Sequence, residues 1–235
     1  EGTAYPLGMV ESADGNTLYV AAYEFFISID VSDKDNPIQN YSVGTGGLYS
    51  WDIVLSNDEQ TAFLASGPYV KIYDISDPLQ TVLITDFVSS GDNDDDVTTD
   101  GTSRSVRISA DGNTLYVANG GEGTRIIDIS DVSAPQLLGY VPANDFVFGV
   151  GMSNDGSMVY ASVSDGELQT IDVTDPQNPE LVRSTPSVRD PWRLATSNDN
   201  KYVFVSDGYT GFKVIDTSFS ARDKGDPLSA EVTYK

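Results

Sequence analysis

A ten-residue segment recurs along this chain. SADGNTLYVA occupies residues 12–21 and returns, letter for letter, at residues 109–118. Related segments begin at Ser56, Ser153 and Ser197, so the five initial serines stand 44, 53, 44 and 44 residues apart. A second landmark, IDVSD or a variant of it, follows about eighteen residues after each serine. A chain built by repetition of one such unit is expected to fold as a repeat architecture.

Each unit has the pattern of four short strands. In the third unit, SRSVRIS, TLYVA, TRIIDIS and QLLGYV are rich in β-branched and aromatic residues, and Gly, Pro, Asn and Asp separate them. A repeat of this length with internal hairpins is typical of a β-propeller blade, whereas β-solenoid repeats are usually shorter. The sequence therefore predicts an all-β fold, a single five-bladed β-propeller with four antiparallel strands per blade. The predicted blades are residues 5–44, 45–89, 102–142, 143–185 and 186–235, with an acidic insertion at 89–103.

The turn after the third strand of each unit resembles a known family. The segments IDVSDKDNP, YDISDP, IDISDVSAP and IDVTDPQNP are similar to the LVIVD-repeat propellers, in which a strand ending in Asp-Val-Ser-Asp-Pro leads into the outer strand. The fifth unit, IDTSFSARDKGDP, keeps the first aspartate but lengthens the turn. The resemblance implies a bacterial or archaeal protein that is extracellular or on the cell surface, and it implies no particular activity.

Composition excludes several classes of chemistry. The chain has no cysteine and no histidine, which removes disulfides, thiol catalysis, the usual general base near neutral pH and the commonest zinc and copper ligand. Its formal net charge of −23 repels nucleic acid and anionic membrane surfaces. No apolar run is long enough to predict membrane insertion. We therefore expect neither nucleic acid nor membrane insertion, and predict no catalytic residue.

Most of the acidic residues recur at fixed places in the repeat. Thirteen aspartates fall in the turn after each repeated serine or around the second landmark, where short carboxylates accept hydrogen bonds from backbone N–H groups. The insertion at 89–103 differs because it interrupts the 44-residue spacing. It could be a solvated loop, a docking loop for a basic partner, or a calcium site, since calcium prefers clustered oxygen ligands. The candidate calcium ligands are Asp92, Asp94, Asp95, Asp96 and Asp100, and no other cofactor is expected.

A second candidate site lies where the inner strands begin. Counting back five residues from each repeated serine gives one ring of positions, Leu7, Trp51, Arg104, Phe148 and Trp192. Trp51, Arg104, Phe148 and Trp192 could stack on a sugar or hold an anionic or aromatic group at the channel mouth. Alternatively, the same side chains could plug the channel and pack the blades together. Asp52, Asp145 and Asp190 lie beside the ring, but Arg104, Arg189 and Arg193 could neutralise them, which disfavours a glycosidase-type carboxylate pair.

Two functions follow as hypotheses. The first is a non-catalytic extracellular or cell-surface propeller for adhesion or self-assembly, whose partners are other protein subunits in a homo-oligomer or filament. The lightly guarded outer strands support it, because unpaired strand edges are templates for association. The second is a propeller that binds a ligand or a surface glycan at the channel mouth, or less plausibly hydrolyses one. The sequon NYS also makes Asn40 a candidate for N-glycosylation.

Overall fold

The predicted fold is confirmed. The computed structural model describes residues 5–89, 101–186, 190–209, 211–217 and 231–234, the last range by its backbone alone. These residues form five four-stranded antiparallel sheets arranged as the blades of a propeller. Within each sheet the strands pair in chain order, so every blade is a meander with its first strand innermost.

The strands of each blade follow the predicted order. Blade 1 contains β1 (Pro6–Glu11), β2 (Thr17–Ala22), β3 (Phe25–Asp30) and β4 (Ile38–Gly44). Blade 2 contains β5 (Ser50–Leu55), β6 (Thr61–Ser66), β7 (Tyr69–Asp74) and β8 (Val82–Val88). Blade 3 contains β9 (Ser105–Ile108), β10 (Thr114–Ala118), β11 (Thr124–Asp128) and β12 (Gln136–Val141). Blade 4 contains β13 (Val147–Met152), β14 (Met158–Val163), β15 (Glu167–Asp172) and β16 (Glu180–Pro186). Blade 5 contains β17 (Pro191–Thr196), β18 (Tyr202–Asp207), β19 (Gly211–Asp216) and β20 (Glu231–Tyr234).

The repeated serine and aspartate build the turn between the first two strands. In blade 1, Ser12 donates its hydroxyl proton to Asp14 at 2.6 Å, and Asp14 accepts the backbone N–H of Asn16 at 2.9 Å. The Thr17 N–H donates to the Ser12 hydroxyl oxygen at 2.9 Å. The same bonds recur in the other four blades. Hydrogen bonding of this kind fixes the hairpin without large side chains.

The aspartates of the second landmark act in the same way. Asp30 accepts the N–H of Ser32, and Asp33 accepts the N–H of Asp35. Equivalent bonds in blades 2, 3 and 4 involve the remaining six aspartates of this set. All thirteen repeated aspartates therefore accept backbone hydrogen bonds in turns, which confirms their predicted structural role.

Buried apolar side chains hold consecutive blades together. Four buried clusters join blades 1 and 2, 2 and 3, 3 and 4, and 4 and 5 within the described residues. The inner strands pack β1 on β5, β5 on β9, β9 on β13 and β13 on β17. Burial of these apolar surfaces, at about 25 cal/mol per Å², is the main source of stability. The inner strands consequently gather around a common axis.

Candidate functional site

Register shifts in the inner strands aim the predicted ring at the channel mouth. The pairing of the first two strands shifts between Pro6 and Gly8, Ser50 and Asp52, Val147 and Gly149, and Pro191 and Arg193. The extra residues at these bulges are Leu7, Trp51, Phe148 and Trp192. A β-bulge bends the strand and redirects the side chain of its extra residue. Four of the five predicted ring positions therefore leave the regular sheet pattern at the same level of the propeller.

Arg104 is the fifth ring position and lies between two aromatic rings. Its N–H donates to the Ala118 carbonyl just before β9 begins, which fixes its backbone. Its guanidinium carbon is 4.2 Å from the Trp51 ring centroid and 5.6 Å from that of Phe148. Phe148 in turn contacts Trp192, with ring centroids 5.4 Å apart. The structure thus brings Trp51, Arg104, Phe148 and Trp192 into one continuous surface.

The charge of Arg104 is not neutralised by a described carboxylate. None of the ion pairs among the described residues involves it, so Arg104 does not neutralise Asp52, Asp145 or Asp190 as the sequence had suggested. Its Nε atom is buried without a hydrogen-bond partner, as is the Trp51 indole nitrogen. Burial lowers the pKa of Arg104 from its usual value, yet an arginine stays charged at neutral pH. A stacked, partly desolvated guanidinium that has no counter-ion in the described part of the chain is suited to bind an anion.

A buried ion-pair network lies beside the ring. Asp52 forms ion pairs with Arg107 at 3.0 Å and with Arg193 at 2.7 Å, and it accepts the Ser105 hydroxyl at 2.8 Å. Arg193 also donates to the Leu7 carbonyl oxygen at 3.0 Å. Asp52 is therefore committed to two arginines and is unsuited to act as a catalytic acid or base. The neutralisation expected from Arg193 is confirmed, whereas the role of Arg107 was missed because it lies inside a strand and away from the counted ring.

The other two candidate carboxylates accept hydrogen bonds from different partners. Asp145 accepts the N–H of Phe146, and Asp190 accepts the Trp192 indole N–H at 3.3 Å. Arg189 lies outside the described residues. In the described part of the chain, no three His, Cys, Asp or Glu side chains group closely enough to hold a metal ion.

Three tyrosines extend the aromatic surface beyond the predicted ring. Tyr49 contacts Trp51 edge-on at 6.1 Å, Tyr23 lies 4.0 Å from Tyr49, and Tyr5 lies 6.0 Å from Tyr23. The hydrogen bond with Tyr49 raises the pKa of Tyr23 to about 12, so its hydroxyl stays protonated at neutral pH. These tyrosines come from turns and an adjoining segment rather than from the repeat, so an analysis of equivalent positions could not find them. Their clustering in the loops around Trp51 was the available signal.

The acidic insertion begins and ends at one place beside the mouth. Ser89 and Ser103 share a hydrogen bond of 2.7 Å, and the Ser89 hydroxyl also donates to Asn119 at 2.9 Å. The Ser103 N–H donates to the Gly67 carbonyl at 2.7 Å. The insertion therefore leaves and rejoins the blades next to Arg104. The candidate calcium ligands Asp92, Asp94, Asp95, Asp96 and Asp100 lie outside the described residues, and calcium binding stays a prediction.

Comparisons with known proteins agree with this architecture. The LVIVD repeat family model matches residues 100–142 and 154–185, which fall in blades 3 and 4. No curated protein matches the chain. Within the described residues, no helix has the length and apolar character needed to cross a membrane.

Solved structures share the fold at low sequence identity. A functionally unknown protein from Desulfotomaculum acetoxidans has a TM-score of 0.74 and 18% identity, over 93% of this chain and 70% of its own. The periplasmic gluconolactonase of Pseudomonas aeruginosa has a TM-score of 0.76 and 16% identity, over 97% of this chain and 70% of its own. A putative 6-phosphogluconolactonase from Bacteroides uniformis has a TM-score of 0.74 and 16% identity, over 92% of this chain and 69% of its own. The chain is therefore a β-propeller of five four-stranded blades that is similar to the LVIVD repeat family over two of them.

Proposed function

We propose that this propeller is a non-catalytic binding protein whose channel mouth holds an anionic sugar, such as a uronic-acid residue of a glycan. Arg104 supplies the positive charge, and Trp51, Phe148 and Trp192 supply faces on which a sugar ring can stack. The observation that carries the proposal is the guanidinium of Arg104, placed 4.2 Å from the Trp51 ring and lacking any described carboxylate partner.

The local charge at the axis supports an anionic ligand in spite of the acidic chain. Apart from Glu11, which pairs with Lys34 at 2.7 Å, Asp52 is the one acidic residue of the described inner strands. Arg104, Arg107 and Arg193 outnumber Asp52 together with Asp190, the carboxylate that accepts the Trp192 indole N–H. Low dielectric around partly buried charges strengthens their local effect relative to distant surface carboxylates.

The exposed aromatic groups favour binding over a simple plug. Trp192 is 46% exposed and Tyr49 is 44% exposed, whereas side chains that fill a channel are expected to be buried and satisfied. Two of the similar structures carry the names of a gluconolactonase and a putative 6-phosphogluconolactonase, names that denote enzymes of sugar-acid lactones. At 16% identity this likeness carries the fold and not the reaction. An extracellular or cell-surface location, where such glycans occur, belongs to the same proposal.

Titration with sodium glucuronate and with oligogalacturonate, followed by tryptophan fluorescence, tests the proposal. Glucose serves as the uncharged comparison ligand. We expect saturable quenching with the acidic sugars, and we expect Arg104→Gln to weaken binding about tenfold to a hundredfold, the effect of losing a charge-assisted hydrogen bond. Lys34→Gln, which removes an equal charge from an exposed turn, is the matched control and should leave the affinity unchanged.

Two results would refute the proposal. The first is acidic-sugar binding that is unchanged in Arg104→Gln. The second is the absence of saturable binding by any acidic sugar to the folded wild-type chain, with Trp51→Ala lowering the melting temperature, which would identify the ring as a plug.

A further inference from the structure

The interface between blade 5 and blade 1 differs from the other four. Each consecutive pair of blades shares a buried apolar cluster, but no such cluster joins blade 5 to blade 1 among the described residues. The inner strands β17 and β1 do not pack as the other inner strands do. The hydrogen bond from Arg193 to the Leu7 carbonyl oxygen, at 3.0 Å, spans the channel mouth between these two strands.

The outward face of blade 1 is apolar and uncovered. The position three residues before each repeated serine faces the preceding blade, and its occupants in blades 2 to 5 are almost fully buried: Ile53 at 4%, Val106 at 0%, Val150 at 0% and Leu194 at 6%. The equivalent residue of blade 1 is Met9, which is 60% exposed. Blade 1 therefore has the apolar surface that the other blades bury against a preceding blade, but no described blade covers it.

The outward face of blade 5 shows the same contrast. The position four residues before the aspartate that ends each third strand is occupied by Phe26 at 0%, Val70 at 1%, Thr124 at 0% and Leu168 at 1%. In blade 5 this position is Phe212, which is 44% exposed and stacks on Phe204 with centroids 5.8 Å apart. Phe204 is half-buried, whereas its equivalents Tyr19, Phe63, Tyr116 and Tyr160 are at most 4% exposed. Apolar faces of this kind mark interaction surfaces.

The similar solved structures indicate the size of what fills the gap. The match to the gluconolactonase covers 97% of this chain and 70% of the other, so that chain has about 325 residues (235 × 0.97/0.70). The difference of about 90 residues is close to two repeats of 44 residues. A remainder of this length is enough for two further blades. A second copy of this chain would bring five blades to the gap between blades 5 and 1, more than the missing length. If blade 5 of one copy packed against blade 1 of another, the two copies would not close a ring of this curvature.

We propose that the uncovered faces of blades 1 and 5 receive two further blades, a segment of about 90 residues of the same polypeptide outside residues 1–235, which completes a seven-bladed ring. Residues 1–4 and 218–230, which the structure does not describe, are too few to form a blade of about 44 residues. These faces adjoin Trp192 but do not include Arg104, so the tests at Met9 and Phe212 do not depend on ligand binding at the mouth.

The rate of methionine oxidation measures the exposure of Met9 on the blade 1 face. The chain contains three methionines, and Met152 and Met158 are partly buried internal references for Met9. Oxidation by hydrogen peroxide follows exposure, so in the dilute, monomeric chain Met9 should be oxidised fastest. A fusion carrying a second copy of residues 102–185, which are blades 3 and 4, after residue 235 should slow Met9 oxidation about tenfold while staying monomeric. The control fusion, with a second copy of residues 102–142 alone, should leave Met9 reactive because one blade cannot bridge the gap.

A second variant tests the other face without relying on the fusion's yield. Phe212→Glu should lower the melting temperature of the 235-residue chain slightly, because it removes the contact with Phe204. It should lower the melting temperature of the two-blade fusion by more, because it also places a carboxylate in the new interface between blades. The proposal is overturned if Met9 in the monomeric chain is as protected as Met152, because the ring then closes on itself. It is also overturned if protection rises with protein concentration, which identifies a second copy as the occupant, or if a single added blade protects Met9 equally well.

Discussion

Replacing Asp52 with alanine is expected to destabilise the propeller by removing the acceptor shared by three blades. The carboxylate lies 3.0 Å from Arg107 and 2.7 Å from Arg193, and its side chain is 9% exposed. Its removal leaves two guanidinium groups facing each other and leaves the Ser105 hydroxyl without its acceptor. Each of these effects opposes folding.

The magnitude follows from the exposure of the partners. Removing one partner of a fully buried ion pair costs about 3–5 kcal/mol, whereas an exposed pair contributes at most about 1 kcal/mol. The side chains of Arg107 and Arg193 are 32% and 37% exposed, so water compensates for part of the loss. We therefore expect Asp52→Ala to lower the free energy of unfolding by about 2 kcal/mol, between those limits. For a chain of this size the melting temperature should fall by about 4–8 °C.

Urea denaturation followed by tryptophan fluorescence, with calorimetry in parallel, measures this loss, and both tryptophans report on the neighbourhood of Asp52. Glu11→Ala is the matched control, because it breaks the Lys34 ion pair whose side chains are 64% and 51% exposed. This control should cost at most about 0.5 kcal/mol. Equal effects of the two substitutions would refute the reasoning, as would an Asp52→Ala protein as stable as the wild type.

Two further predictions concern turns. In urea denaturation, Gly123→Ala should destabilise the fold by at least about 2 kcal/mol more than Gly156→Ala. Both glycines have positive φ. An added Cβ at Gly123 would lie 2.2 Å from the Val141 carbonyl oxygen, whereas one at Gly156 would meet nothing within 4 Å. Equal costs would mean that φ alone matters. Hydrogen bonds lower the pKa of turn aspartates such as Asp14 and Asp111 from 3.8, so the stability they contribute is present above that value and is lost as the pH falls through the lowered folded-state pKa. Melting temperatures recorded by circular dichroism should therefore fall below about pH 4, and a constant value there would contradict this role.

Repetition made the fold predictable because five copies of one pattern report the same strands and turns. A turn aspartate that recurs at the same place in every blade cannot be specific to one reaction centre, and the hydrogen bonds of Asp14 and its equivalents confirm this. Counting from the repeated serine also located Trp51 and Arg104 on the same ring. Equivalent positions in a cyclic arrangement lie at equal height, so sequence spacing alone brings such residues together.

The features that break the repeat were harder to predict. The ion pair between Asp52 and Arg107 depends on the direction in which the two side chains point near the channel. The alternation of apolar and polar residues along one strand does not determine that direction. Ring size depends on the curvature between blades, and each repeat specifies its contact with a neighbour without specifying how many neighbours exist. Met9 has the apolar character of its equivalents, so the sequence indicates a covering blade, and the 60% exposure in the structure shows that the described residues do not supply it.

The two further blades that we propose would change the number of residues around the channel mouth. The ring of mouth residues takes one position from each blade, and two further blades would add two positions beside Leu7 and Trp192. The 235-residue chain would then present five of seven positions, with Arg104, Trp51 and Phe148 in blades 2 to 4 and Trp192 beside the added blades. Both proposals are supported if the 235-residue chain binds weakly in a way that depends on Arg104 and the two-blade fusion keeps that dependence. Binding that is lost when the ring is closed would mean that ligands reach Arg104 through the gap rather than through the mouth.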